Sequence, residues 1–283
     1  EKATNAAQRM VADYPDLVGA TGSYLSSFTL AVTEVTERAN LPVLTLSYSD
    51  LITERGYENV FQTSATAGGQ AEIALPIIMD LAEEQTGKRP ETVAVITDNT
   101  AASLSSVERM KNGLLDDVGL ELVSEEVFTP PLSDATSLIQ TIRARQPDLL
   151  FFLPTVISDA NLILEKMQEF RVSVPTISFG IAIAEPEVLN TMDPELLDGV
   201  MSAVANWGAA GQEDLIQRLK DEYGEPWMTQ NAISTYGDMW VFKAALEESC
   251  SRDREALGEA LRNLDGGPSE YYPGGTISFD DMG

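Results

Sequence analysis

The chain has 283 residues and is 43% hydrophobic, which exceeds one typical domain and is enough for packed cores, so two lobes of roughly 100–150 residues each are expected. Its 18 Lys and Arg against 45 Asp and Glu leave a net charge of −27, which argues against nucleic acid and anionic membranes as partners, since both demand cations. It has no histidine and one cysteine, Cys250, which removes Ser-His-Asp and Cys-His catalysis, an intramolecular disulfide and a Cys/His metal site together.

No stretch approaches the roughly 18–20 apolar residues needed to span a bilayer, and Glu1-Lys2-Ala3-Thr4 lacks the basic head and apolar run of a signal peptide. The acidic residues are spread through predicted helices (Glu34, Glu37, Glu83, Glu84, Glu108, Glu213, Asp214). They read as a solvated surface, one suited to a salty habitat.

In chain order, short apolar, β-branched runs predict strands at Leu17–Ala20, Val43–Leu46, Val93–Thr97, Leu149–Leu153 and Val174–Ile177. Amphipathic stretches at Leu30–Ala39, Gln70–Gln85, Ser103–Val118, Ser137–Arg145 and Ala160–Phe170 alternate with them as crossover helices. The fold class is therefore α/β, with two doubly wound, Rossmann-like lobes. Two small-residue stretches, Thr63–Gly69 and Ala205–Gly211, each follow a strand and precede a helix, and are read as hinges. The first lobe is expected to comprise 1–67 and 207–272, and the second 68–206 and 273–283. Gly266-Gly267-Pro268 and Gly274-Gly275 flank Tyr271-Tyr272, and a last strand over Thr276–Phe279 is expected to cross back.

Neither a dinucleotide-binding nor a P-loop glycine pattern occurs; Gly19-Ala20-Thr21-Gly22 lacks the spacing. No cofactor and no metal are expected. Adjacent acidic pairs (Asp116-Asp117, Glu125-Glu126, Asp280-Asp281) diverge on a helix or strand and read as surface. Two Ser-rich turns carry more information. Gly22-Ser23-Tyr24-Leu25-Ser26-Ser27 follows the first strand and Ser47-Tyr48-Ser49-Asp50 the second, where helix N-termini and hydroxyls of an open α/β sheet meet a ligand. Helix capping is the competing reading for these serines.

From Gly22 to Gln70, GSYLSSFTLAVTEVTERANLPVLTLSYSDLITERGYENVFQTSATAGGQ resembles the first lobe of type I periplasmic substrate-binding proteins, the branched-chain amino-acid and amide group. The pattern continues through VAVITD, ATSLIQTIRARQPDLLFF, VPTISFG and Ser234-Thr235-Tyr236-Gly237-Asp238. The resemblance implies that Ser26 or Ser27 bonds a ligand carboxylate or amide oxygen, and that Ser47 and Ser49 meet its amine and carboxylate. Tyr48 would fill the pocket or stack. On the second lobe, Ala101-Ala102 and Thr155 replace common aromatics, and Ile181-Ala182-Ile183 stands where an amino-acid binder places its ammonium-pairing carboxylate. A buried ammonium needs acceptors, so Ala182 argues against a free α-amino acid unless Glu185 or Asp98 substitutes. The second-lobe wall, with Ala102, Thr155 and Ala182, suits a hydrophobic or aromatic acid or an amide. Ordinary packing is the competing reading for Ile181 and Ile183, and Trp207 is a weaker candidate.

Relative to that family, the chain opens inside what resembles the second helix and stops before the final strands, which would expose apolar sheet edges, so that either the sequence is incomplete or something else covers them. The implied function is the non-enzymatic, extracytoplasmic solute-binding component of an ABC importer, periplasmic or extracellular, with membrane anchoring through a missing N-terminus left open. It would act as a monomer that closes around a small solute and docks on a permease complex. A ligand-sensing module of a receptor with the same fold stays open as the alternative, as does, more remotely, an enzyme on the same sheet.

Overall fold

The computed structural model describes residues 1–180, 182–266 and 277–283. Ile181 and the expected features at Gly267-Pro268, Tyr271-Tyr272, Gly274-Gly275 and Thr276 lie outside them. The chain divides into two compact units, Glu1–Thr66 with Asn206–Gly283, and Ala67–Ala205. The divisions fall within the two small-residue stretches.

The first unit holds helix α1 (Lys2–Asp13), strand β1 (Ala20–Thr21), α2 (Ser26–Arg38), β2 (Val43–Thr45) and β3 (Val60–Gln62). The three strands pair in parallel in the order β1-β2-β3. β2 is central, and every residue from Leu41 to Ser47 is buried, which is why its sequence is continuously apolar rather than alternating. β1 is shorter and later than its apolar run predicts: the Leu17 carbonyl accepts from Arg254 Nε at 2.7 Å instead of joining the ladder. The same guanidinium donates to the carbonyls of Ala39 (3.0 Å) and Pro15 (3.1 Å). α2 begins four residues before its apolar periodicity. Its buried face is threonine (Thr29, Thr33 and Thr36, each 0% exposed), with the Thr33 hydroxyl donating to the Thr29 carbonyl at 2.6 Å.

The segment that follows the second unit contributes two further long helices to the first. Those helices, to be called α10 (Gln230–Ser249) and α11 (Arg254–Arg262), pack Val241, Phe242, Ala245, Leu257 and Leu261 against Leu44 and Phe61. Residues 277–283 also belong to this unit, which corrects the expectation that 273–283 join the second lobe. Phe279 stacks on Phe61 with ring centroids 5.0 Å apart, and Gln62 N donates to the Gly283 carbonyl at 3.3 Å. In place of a last strand, Ser278 makes one antiparallel bridge with Asp265.

The second unit runs α3 (Ala67–Thr86), β4 (Thr92–Asp98), α4 (Ala101–Arg109), α5 (Leu115–Val118), β5 (Glu121–Phe128), α6 (Thr136–Arg145), β6 (Leu149–Leu153), α7 (Ile157–Glu169), β7 (Thr176–Phe179), α8 (Val188–Thr191) and β8 (Val200–Ala203). α9 (Glu213–Tyr223) then returns to the first unit. The sheet is parallel throughout, in the order β5-β4-β6-β7-β8. Alternate residues of β4 and β6 feed opposite cores. Ala94, Ile96, Leu150 and Phe152 meet Ile139 and Ile142 of α6 and Ile163 of α7, whereas Val93, Val95, Leu149 and Phe151 meet Leu75 and Met79 of α3 and Val107 of α4.

Three departures from the sequence pattern have physical causes. The helix expected over Ser103–Val118 is broken between α4 and α5, where Asn112 and Gly113 leave helical geometry and Gly113 adopts φ +120°. The strand β5 escaped the pattern because it is an edge, paired on one side only, and carries Glu121, Glu125 and Glu126. β7 lies two residues beyond the expected run, since Pro175 has no N–H and enters the ladder only through its carbonyl, which accepts from Leu150 N at 2.9 Å.

Truncating the fully buried Phe152 removes a large side chain from one face of this sheet. Phe152→Ala should cost about 3–5 kcal/mol of unfolding free energy, measurable as a lowered midpoint in urea denaturation.

Candidate functional site

In a parallel sheet the carboxyl ends of all strands share one edge, and the loops there carry whatever a ligand meets. In the first unit these loops follow β1 and β2. Gly22 (φ +121°) and Ser23 (φ +61°) both take left-handed conformations, turning the chain sharply after β1. Ser23 is a non-glycine residue held there by two hydroxyls on its carbonyl, from Ser47 Oγ at 2.5 Å and Thr29 Oγ1 at 2.6 Å. Ser47 and Thr29 also contact each other at 2.7 Å. The Ser47 side chain is therefore a stitch between the two loops, and its backbone carbonyl accepts from Gln62 Nε2 at 2.5 Å.

Ser26 opens α2, is 5% exposed, and accepts from Ser49 N at 3.1 Å. That bond joins the start of α2 to the loop after β2. Ser49 itself is 0% exposed, and its hydroxyl has no hydrogen-bond partner in the fold. Ser27 is exposed and Tyr48 half-buried. The structure thus brings Ser26, Ser47 and Ser49 together, leaves Ser27 on the exposed side of α2, and places Tyr48 between the two loop serines.

Behind this cluster, Asn206 is 7% exposed and its Nδ2 donates to Ser234 Oγ (2.7 Å) and the Thr63 carbonyl (3.4 Å). It ties the outgoing chain to the returning one. Ser234 and Asp238 lie one turn apart on α10, both fully buried, and Asp238 accepts from the Thr21 hydroxyl at the end of β1. Trp207 is 39% exposed.

In the second unit, β5 and β6 flank β4, so successive connections leave β4 and β6 toward opposite faces of the sheet. The ends of β4 and β6 are the switch point of this topology, where a crevice opens. Asp98, the last residue of β4, is 0% exposed, and its two oxygens accept from Thr100 N (3.0 Å) and Thr155 N (2.6 Å). One carboxylate fixes both loops. Three hydroxyls connect them further: Thr100 Oγ1 lies 3.1 Å from Ser103 Oγ and 3.0 Å from Thr155 Oγ1, and Ser103 Oγ donates to the Leu153 carbonyl at 3.1 Å. Ala102 and Thr155 are half-buried beside this network. Ala182 is only 2% exposed, and Ile183 packs in the core with Val188.

A second acid lies nearby. Asp159, on the first turn of α7, is 2% exposed; Oδ1 accepts from Leu132 N at 3.0 Å and Oδ2 has no hydrogen-bond partner. Burial pushes its carboxyl above the ordinary range; the Leu132 N–H opposes the shift and the Asp98 charge adds to it. Among the described residues, no group of three or more His, Cys, Asp or Glu is placed to hold a metal ion.

Sequence reasoning alone missed Thr29, Thr100 and Ser103. The available signal was a Thr or Ser within a few residues of each Ser-rich or Asp-ended strand terminus, a pattern that capping produces just as often.

A family model described as periplasmic binding protein matches residues 1–281. The chain belongs to this family. It is 23% identical to Leu/Ile/Val-binding protein homolog 7 of Brucella melitensis biotype 1, over 99% of this chain and 72% of that protein. Its fold is that of the type I proteins: a periplasmic binding protein type 1 from Bordetella pertussis Tohama I superposes with a TM-score of 0.81 at 17% identity, covering 99% of this chain and 78% of that one. A solute-binding protein of an ABC transporter from Rhodopseudomonas palustris BisB5, in complex with 3,4-dihydroxybenzoic acid, gives 0.76 at 20% identity, with 99% and 74% covered. The family is one of solute-binding proteins that work outside the cytoplasm, and no helix among the described residues is long and apolar enough to cross a membrane.

Two substitutions separate structural from titrating roles in this periplasmic binding protein. Ser47→Ala removes the hydroxyl that holds the Ser23 and Thr29 positions, and should lower unfolding free energy by about 1–2 kcal/mol, read by denaturant titration without ligand. Asp159 has a raised folded-state value, so the folded protein holds its proton more tightly than the unfolded chain. Its contribution to stability is full below the unfolded carboxylate value and is lost as pH rises through the folded one. Asp159→Asn should accordingly gain melting temperature relative to the parent at pH 7 and lose that advantage at pH 4, in paired thermal melts.

Proposed function

We propose that this protein is the solute-capturing component of an ABC importer, binding a small carboxylate- or amide-containing solute with an apolar or aromatic body and delivering it to a permease complex. The observation that carries the reading is the Ser49 hydroxyl. An unsatisfied buried hydroxyl costs about 1–3 kcal/mol, and folds seldom keep one without a use. Ser49 is fully buried, its backbone N–H is held by Ser26, and its hydroxyl has no partner in the fold. A carboxylate or amide oxygen of a solute would satisfy it beside the N-terminus of α2, whose dipole favours negative charge.

Each unit would offer part of the contacts: Ser26, Ser47 through its carbonyl, Tyr48 and Ser49 from the first, Ala102 and Thr155 from the second. The crossings at Thr66/Ala67 and Ala205/Asn206 would act as hinges, and a solute with differential affinity for the closed state would shift the population toward it. The names of the relatives support an amino-acid-like or aromatic acid. Leu/Ile/Val-binding homologues lie on one side and a dihydroxybenzoate complex on the other. Ala182, buried and apolar, supplies no countercharge for an ammonium.

Ser49→Ala should weaken binding of the solute about tenfold, the loss of one hydrogen bond to a charged group, while leaving the melting temperature of the ligand-free protein unchanged or slightly raised. Mass spectrometry of small molecules released from the denatured protein identifies the solute, and calorimetry on both variants reads its affinity. A lowered ligand-free melting temperature with unchanged affinity would assign Ser49 to the fold instead.

A further inference from the structure

Hydrogen-bond polarity in the second unit is fixed by counting protons, because each hydroxyl donates only one. Ser103 spends its proton on the Leu153 carbonyl, which can only accept. Thr100 donates to Ser103. The remaining contacts, Thr100 to Thr155 at 3.0 Å and Ser103 to Thr155 at 3.5 Å, then leave Thr155 as the donor. The relay runs Thr155 to Thr100 to Ser103 to Leu153. Thr155 is left with lone pairs and no proton, and it is the half-buried, accessible end of the chain.

The backbone donors beside it are engaged as well. Thr155 N and Thr100 N, which would otherwise meet an anion at the starts of α7 and α4, already donate to Asp98. Asp98 accepts at both oxygens. With Asp159 also buried on α7, two acidic side chains lie behind the Thr155 loop, and the ion pairs of the described residues name neither. The carboxyl ends of β4 and β6 therefore present acceptors on an electronegative background.

We propose that Thr155 is an obligate hydrogen-bond acceptor toward the solute, so that the second unit selects solutes carrying an N–H or O–H donor and rejects those that present a second carboxylate there. The inference rests on the solute-binding reading above. It assigns Asp98 as a positioning residue: it touches no solute, but holds both loops and occupies the N–H groups that would invert the preference.

The test uses the full chain and two matched acid series, read by calorimetry. One is 4-methylpentanoate, 2-hydroxy-4-methylpentanoate, leucine and isobutylsuccinate; the other is benzoate, 4-hydroxybenzoate and terephthalate. The donor-bearing members should bind about tenfold or more tightly than the plain acid, and the dicarboxylates more weakly than it. In Thr155→Val, which keeps the shape and loses the acceptor, the donor advantage should fall to about onefold; Thr155→Ser should retain it. Equal binding of plain and donor-bearing acids, tighter binding of a dicarboxylate, or an undiminished advantage in Thr155→Val overturns the proposal while leaving the solute-binding reading intact. Saturable binding by no member of either series overturns that reading and this proposal with it. The wild-type series decides even if Thr155→Val does not fold.

Discussion

Within each sheet every strand runs parallel to its neighbours, and that constraint orders the rest of each unit. Parallel strands cannot be joined by tight turns, so each is followed by a crossover, and all the strand-end loops of a unit gather at one edge. Backbone groups there have left the ladder and need new partners. This chain supplies them with short side chains. Ser47 and Thr29 saturate the Ser23 carbonyl, Ser26 takes the Ser49 N–H, and Asp98 takes the N–H groups of Thr100 and Thr155. The candidate site is thus built from the same bonds that close the loops. The Ser49 hydroxyl and Asp159 Oδ2 are buried there without a hydrogen-bond partner in the fold.

The two edges differ in electrical character. The first unit sets a helix N-terminus and a spare hydroxyl at its edge; the second sets lone pairs over buried carboxylates. Pre-formed loops make weak individual contacts effective, since little ordering entropy is spent on binding. The large surface charge plays a different part. Ion pairs such as Arg38–Glu34, Arg89–Glu83 and Lys243–Glu247 are exposed and contribute little to stability, and the excess acid keeps the protein soluble and repels polyanions.

Much of the fold was legible because burial on both faces forces a distinctive sequence. Leu149–Leu153 is continuously apolar, and that run coincides with β6. Elements failed to show where burial or pairing was of another kind: threonines form the buried face of α2, acids line the edge strand β5, and Asn112-Gly113 interrupts a helix whose periodicity continues past it. Of the site, the two Ser-rich turns were visible as residues after strands, yet their roles were not. Ser47 and Ser49 are both buried serines two positions apart; one is a structural stitch and the other has an open hydroxyl.

By itself the sequence determined the class of fold, the absence of histidine-based chemistry, the acidic surface and the stretches at which the units divide, because each depends on composition or on periodicity along the chain. Tertiary structure decided which hydroxyls remain available, that Ala182 is buried, that Thr155 and Asp98 share a loop junction, and that residues 277–283 pack on the first unit. Those outcomes depend on contacts between residues far apart in sequence, such as Asp98 with Thr155 and Phe61 with Phe279. A hydroxyl's proton goes to whichever acceptor folding brings within reach, and local sequence does not name that acceptor.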